Sequence, residues 1–261
     1  MTSSNDTSGT VARVLAMLRA IAETSGSVGV KQLADQIGLP MSTTHRLLEL
    51  LGDGGFVEKE PSGHRYLLGT TFYRVASLVT SKWSLNEVIQ RELNKLTGAT
   101  GETSLLSIYL PAQKAMIYGA KCDSPNPMRY RIDLFEQSTL VKGSAGLAIL
   151  AFLPLEAQTE IIEHERKSSS FDVAKLRRRL PEIRRTGYAH TRGEKLSDSV
   201  GVGVPLEIGP GSVVGSVALT IPEVRFKPPT MKQYVSLLQA VASKFSGRVI
   251  ENSVTLRGVS A

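Results

Sequence analysis

The sequence holds a single cysteine, Cys122. One thiol excludes an intramolecular disulfide framework and every zinc site built from several cysteines. It fits a reducing, cytoplasmic setting. No run of about 18 apolar residues occurs, so no transmembrane helix and no membrane partner are expected. The first ten residues are Ser, Thr, Asn and Asp-rich and lack the basic-then-apolar pattern of a signal peptide. Residues 1–9 are expected to form a disordered tail and residues 253–261 a flexible one. The four histidines, His45, His64, His164 and His190, are scattered without metal-ligand spacing, so no metal is expected. No nucleophile elbow, phosphate loop or cysteine nucleophile with a partner is present, and Gly201-Val-Gly203 is not a dinucleotide fingerprint. These absences argue against an enzyme, and no cofactor is expected. No internal repeat is visible.

What remains is an ordinary globular mixture, 41% hydrophobic and 21% charged. At 261 residues the chain can hold one large domain or two ordinary ones. The net charge of +7 is unevenly placed. Residues 1–80 carry seven basic and seven acidic side chains, so the whole excess lies beyond them. Most of it sits in His164–Arg192, with nine basic and three acidic residues. Such a run reads either as a nucleic-acid patch or as a solvated helix face.

Periodicity orders the N-terminal part. Val11–Thr24 shows helical spacing. A Gly-Ser break follows, then a short helix at Val30–Ile37 and a turn at Gly38-Leu-Pro40. A third helix carries Thr44, Leu47, Leu48 and Leu51 inward, with Ser42 as its expected cap. Phe56–Glu60 and Arg65–Leu68 read as a hairpin around Pro61-Ser-Gly-His64. Helix, helix, tight turn, helix and hairpin make an all-α winged helix-turn-helix with a β-hairpin wing. In that arrangement the third helix enters the major groove of double-stranded DNA. It would present Met41, Ser42, Thr43, His45 and Arg46. Lys31 and Gln32, opening the second helix, suit phosphate contacts. Ser62, His64 and Arg65 at the hairpin would follow the backbone or the minor groove. Arg65 could instead pair with Glu58. A charge-neutral module binds weakly alone, so a dimer with two half-sites is expected.

Thr70–Lys82 predicts a connecting helix whose Phe72, Val75, Ala76 and Val79 stripe either packs on its own domain or joins two copies. Ser84–Thr97 predicts another, capped by Ser84. Strands are expected at Ser104–Leu110, Lys114–Lys121, Met128–Leu134, Tyr188–Thr191, Val200–Glu207 and Val213–Ile221. Helices are expected at Leu140–Phe152, Leu155–His164, Val173–Arg185 and Thr230–Ile250. This interleaving predicts an α/β or α+β domain around one mixed sheet.

Several stretches carry a resemblance. Val30-Lys-Gln-Leu-Ala-Asp-Gln-Ile-Gly-Leu-Pro40, Ser42-Thr-Thr-His-Arg-Leu-Leu48 and Gly63-His-Arg-Tyr-Leu-Leu-Gly69 resemble the DNA-binding domain of the IclR family of bacterial transcriptional regulators. Leu93–Glu102, Ser144-Ala-Gly, Leu180–Tyr188, Val202–Leu206 and Gly215–Pro222 resemble its effector domain. The resemblance implies a DNA-binding domain over 10–69, a linker helix over 70–82 and a GAF-like effector-binding domain over 83–252. It implies a homodimer or homotetramer, an operator, and a small-molecule effector, a carboxylate or an aromatic. By position the effector would meet Ser144, Ala145, Thr191, Glu194, Gly201, Gly203, Ala218 and Thr220. The sequence departs from the family pattern at Met41, at Glu49, across Phe135–Val141 and at Leu147. Arg129 and Arg131 read as exposed strand residues or as attractors of an anionic ligand. An alternative reading is a constitutive DNA-binding scaffold whose second domain only dimerises. Repression or activation depends on where the operator lies.

Overall fold

A computed structural model of the protein describes residues 9–24, 26–61, 63–81, 85–209 and 211–257. Residues 1–8 of the expected tail over 1–9, Ser62, the Ser84 cap, the Val79 side chain and residues 258–261 lie outside what is described. The chain forms two compact units, Met1–Ser84 and Leu85–Ala261. Among the described residues no helix is long and apolar enough to cross a membrane.

In the first unit, α1 (Thr10–Glu23) turns Met17, Ala20 and Ile21 inward. They meet Leu33 from α2 (Val30–Ile37) and Leu47 and Leu48 from α3 (Met41–Asp53) in one apolar cluster. Gly38 closes α2 in the left-handed region at φ 68°, a conformation glycine adopts without steric cost. This sets the tight turn into α3. Ser42 is not the cap of α3: the helix starts at Met41 after Pro40, whose fixed φ suits that boundary, with no side-chain cap bond. The fully buried Thr44 instead donates its hydroxyl to the Pro40 carbonyl at 3.1 Å.

The wing is a three-stranded sheet rather than a bare hairpin. Strands β2 (Val57–Lys59) and β3 (Arg65–Leu68) pair, and β1 (Val28–Gly29) adds to the other edge of β3. The two residues of β1 were too few to show alternation, and they follow a Gly-Ser break. Arg65 does not pair with Glu58. Its guanidinium donates to the Ser27 hydroxyl at 2.9 Å and to the Ser27 carbonyl, while Glu58 accepts the Thr70 N–H at 2.8 Å. Helix α4 (Thr70–Ser81) completes the unit, with Tyr73 and Val75 exposed.

The second unit is built on a six-stranded sheet in the order β6-β5-β4-β9-β8-β7. The strands are β4 (Thr103–Leu110), β5 (Ala115–Cys122), β6 (Gln137–Ser138), β7 (Ala189–Arg192), β8 (Ser199–Glu207) and β9 (Val213–Pro222). Every pairing is antiparallel, so the sheet is not mixed and the unit is α+β. Helices α5 (Leu85–Thr100) and α9 (Met231–Arg257) share one apolar cluster with Val200, Val202 and Val204 of β8. Helices α6 (Ser144–Leu150), α7 (Leu155–Glu165) and α8 (Val173–Thr186) form the other cluster with Leu105 and Ala218. Period-two alternation in β8 explains the division: its valines face α5 and α9, and Gly201 and Gly203 face α6.

Three boundaries differ from expectation. Met128–Leu134 is not a strand; its polar groups engage side chains instead of a ladder, with Lys121 Nζ donating to the Ile132 carbonyl at 3.0 Å. The edge strand there is β6. Helix α6 starts at Ser144 rather than Leu140, because Gly143 sits at φ 80° and ψ 152°, outside helical space. Helix α9 runs on to Arg257, seven residues beyond the expected end at Ile250.

The start of β4 is locked to the turn after β9. Glu102, buried, accepts from Arg225 Nε at 2.9 Å and from its terminal nitrogen at 2.5 Å. Arg225 also donates to the Met128 carbonyl at 2.7 Å, which fixes the loop that the strand prediction missed. Removing one partner of such a pair leaves an uncompensated charge. Arg225→Met is therefore expected to cost about 3 kcal/mol of stability, read as a lower urea midpoint; an unchanged midpoint would show that the pair holds nothing.

Candidate functional site

The first candidate surface is the outer face of α3. The apolar stripe of Leu47, Leu48 and Leu51 is buried, so the helical repeat leaves Met41, Ser42, His45 and Arg46 exposed and Thr43 partly so. His45 Nδ1 lies 3.5 Å from Glu49, an exposed pair four residues apart. Arg46 has no ion-pair partner among the described residues. Lys31 and Gln32 are exposed at the start of α2, and His64 at the wing tip. Arg65 is exposed but tethered to Ser27, which fixes its guanidinium at the base of the wing. The face can donate hydrogen bonds from hydroxyl, imidazole and guanidinium groups, which suits phosphates and base edges.

The second candidate lies between α6 and the sheet. Its walls are close because Gly201 and Gly203 carry no side chain. A Cβ on Gly203 would fall 2.7 Å from the Ser144 carbonyl oxygen. One on Gly201 would fall 2.5 Å from Ser144 Oγ and 2.8 Å from Thr191 Oγ1. The two hydroxyls thus converge over bare backbone. Ser144 and Thr191 are each 6% exposed, and neither hydroxyl has a hydrogen-bond partner among the described residues. They open onto a cavity of about 30 Å³, also lined by Ala145, Ala218 and Thr220. That volume suits one or two waters or a group of similar size.

Six of the eight residues expected to meet an effector therefore share this cavity. Glu194 does not line it, because its carboxylate accepts from Arg179 at 2.8 Å. Gly203 lies behind it, against the Ser144 backbone. Sequence reasoning missed Tyr118 and Lys195. Tyr118 sits in β5, where strand alternation could have pointed to it. Lys195 lies in the loop from Gly193 to Asp198, and its packing on Gly143 is a tertiary fact.

Lys195 crosses the cavity mouth. Lys195 is exposed as a residue, and its Nζ lies 4.5 Å above the Tyr118 ring centre. Nζ donates to Tyr118 Oη at 3.0 Å and to Ser138 Oγ at 2.5 Å. Desolvation at the tip holds the Lys195 ammonium down to about 8 and burial pushes the Tyr118 phenol up to about 12. Tyr118 thus stays neutral where Lys195 titrates. Arg129 and Arg131 are not strand residues and do not line the cavity; Arg129 donates to the Asn126 carbonyl at 3.3 Å and Arg131 pairs with Asp133 at 3.3 Å. Among the described residues no cluster of metal-ligating side chains occurs. A larger, open groove of about 490 Å³ between α7 and α8 is rimmed by Arg177 and Arg184 of the basic segment.

Comparison with known proteins places both surfaces in context. The family model described as "Bacterial transcriptional regulator IclR C-terminal" matches residues 77–247, and "IclR helix-turn-helix domain" matches residues 10–61. The HTH-type transcriptional regulator KdgR of Escherichia coli is 22% identical over 94% of each chain. The crystal structure of a putative IclR transcriptional regulator from Silicibacter sp. superposes with a TM-score of 0.81 at 25% identity, covering 93% of this chain and 96% of that one. An IclR homologue from Microbacterium hydrocarbonoxydans, crystallised with 4-hydroxybenzoate, gives a TM-score of 0.73 at 18% identity, covering 92% and 98%.

The two glycines make distinct predictions. Gly203→Ala drives a methyl group into backbone, so α6 must move, at a cost of about 1–3 kcal/mol. Gly201→Ala meets two hydroxyls that can rotate and, at 3.1 Å, the Ser144 Cβ, but no backbone oxygen, so it should destabilise less while filling the cavity. Urea unfolding of both variants checks the order; equal midpoints would show that α6 does not depend on the Gly203 approach.

Proposed function

The chain belongs to the IclR family of bacterial transcriptional regulators, and on that premise we propose that it binds an operator through α3 and changes its affinity when a small ligand enters the cavity beside α6. The observation that carries the ligand half is that two buried residues, Ser144 and Thr191, turn unpartnered hydroxyls onto that cavity. Two hydroxyls that face the same small cavity and bond to no protein group are free to bond an occupant. A carboxylate or an aromatic acid supplies acceptors for both. The relative crystallised with 4-hydroxybenzoate has this fold and holds a ligand of that class. A cavity of about 30 Å³ takes the head of such a molecule; anything larger must displace Lys195 and its loop. Binding then favours one arrangement of the protein over another, which is what a change in operator affinity requires.

The DNA half rests on the α3 face. Lys31, Gln32, Met41, Ser42, Thr43, His45 and Arg46 serve as its groove and phosphate contacts, and Ser62, His64 and Arg65 as those of the wing. Residues 1–80 carry no excess positive charge to hold DNA by themselves, so two copies share the work. The exposed apolar side chains Val11 and Leu15 of α1 and Tyr73 and Val75 of α4 supply a surface for a homodimer. This protein acts in the cytoplasm as a regulator and not as an enzyme.

A gel-shift assay on DNA from the gene's own upstream region, with and without small carboxylates and aromatics, tests the whole reading. Specific binding that one compound alters is the expected result. Specific binding that none alters would favour the dimerising scaffold without an effector. Within the same assay Arg46→Ala should lower operator affinity at least tenfold, a loss of about 1.4 kcal/mol or more. Unchanged affinity by fluorescence anisotropy, in a variant that keeps its melting temperature, would remove α3 from the groove.

A further inference from the structure

We propose that Lys195 sets the ligand class of the cavity: its ammonium is the counter-charge for a carboxylate head that also accepts hydrogen bonds from Ser144 and Thr191. The inference rests on the reading of this cavity as the effector site and adds the residue that selects the effector. Three independent features carry it.

The first is an unmet charge. Both hydrogen-bond partners of Lys195, Tyr118 Oη and Ser138 Oγ, are neutral. Among the described residues no carboxylate pairs with it. The adjacent Glu194 is taken by Arg179. The aromatic face below stabilises a cation only in part. An anion at the mouth of the cavity would complete the charge balance.

The second is the donor set. Ser144 and Thr191 are more than nine-tenths buried, with unpartnered hydroxyls aimed into the same space. Tyr118 Oη accepts from Lys195, so its own proton is free to donate. A cation and three hydroxyl donors favour an oxyanion over an amide or an alcohol. The third is size: about 30 Å³ admits a carboxylate head rather than a whole aromatic ring.

The depressed ammonium agrees with this arrangement, since desolvation without an anion disfavours the charged form. An anionic ligand restores it. Carboxylate affinity should therefore fall as pH rises above about 8. The other groups facing Lys195 do not produce that trend: Tyr118 stays protonated, Ser138 does not titrate, and Glu194 is held by Arg179.

The test is calorimetric titration of the full-length protein with acetate, pyruvate, benzoate and 4-hydroxybenzoate, and with acetamide and benzamide as uncharged counterparts, each to about 10 mM. Wild type, Lys195→Met and Lys195→Arg are compared, their fold checked by circular dichroism and melting. At least one acid should bind wild type at least about tenfold more tightly than its amide. Lys195→Met should erase that preference, and Lys195→Arg, which keeps the charge, should retain it. Amides binding as well as acids, an undiminished preference in Lys195→Met, or no binding by any of the four acids would overturn the inference. Adding operator DNA separates it from the broader reading. Acid binding that needs Lys195 but leaves operator affinity unchanged would keep the anchor and sink the regulatory role of the cavity. An uncharged compound that binds there and releases DNA would do the reverse.

Discussion

The contact on which the second unit depends is the seating of α6 against β8. It is possible because β8 alternates valine with glycine from Val200 to Val204. The valines supply apolar area to the face shared with α5 and α9, where burial at about 25 cal/mol per Å² stabilises the layer. The glycines supply absence on the other face. With no Cβ at Gly203, the first residues of α6 come within ordinary contact of the strand backbone. With none at Gly201, two hydroxyls meet over the sheet and leave a small polar void. One strand therefore provides both the core and the site.

The charges of the site follow from the same geometry. Arg179 of α8 and Glu194, beside β7, satisfy one another at 2.8 Å, which removes the acid that would otherwise stand next to Lys195. Lys195 is left with neutral partners and a desolvated tip. By contrast, Glu102 and Arg225 form a closed pair that organises the loop over residues 123–136 and presents no unmet charge. Among the described residues the fold thus sets a complete structural ion pair apart from a cavity lysine that no carboxylate pairs with.

In the first unit the governing constraint is the turn between α2 and α3. Gly38 at positive φ and Pro40 with its fixed φ set the start of α3, and the Thr44 hydroxyl ties its first turn to the Pro40 carbonyl. Once Leu47 and Leu48 are buried, the rotation of α3 is fixed and Arg46 must face outward. That face belongs to a helix-turn-helix, and the surface it offers is one of donors rather than of net charge.

The order of elements was legible in the sequence because hydrophobic periods of 3.6 and 2 are local properties of the chain. The same locality placed the exposed face of α3 and, through the family resemblance, put Ser144, Thr191, Gly201 and Thr220 together. It failed where a segment's partners are distant. Met128–Leu134 alternates weakly like a strand, yet its groups are claimed by Lys121 and Arg225, and β1 exists only because β3 offers a free edge. Glu194 looked like a pocket residue until Arg179 engaged it, and nothing in the sequence singled out Lys195. The amino-acid sequence by itself determined most of the helices and long strands, and the family, since both are written in short-range pattern. Only the tertiary structure decided which charges are paired and which one is left facing the cavity, because pairing depends on through-space distance between residues far apart in the chain.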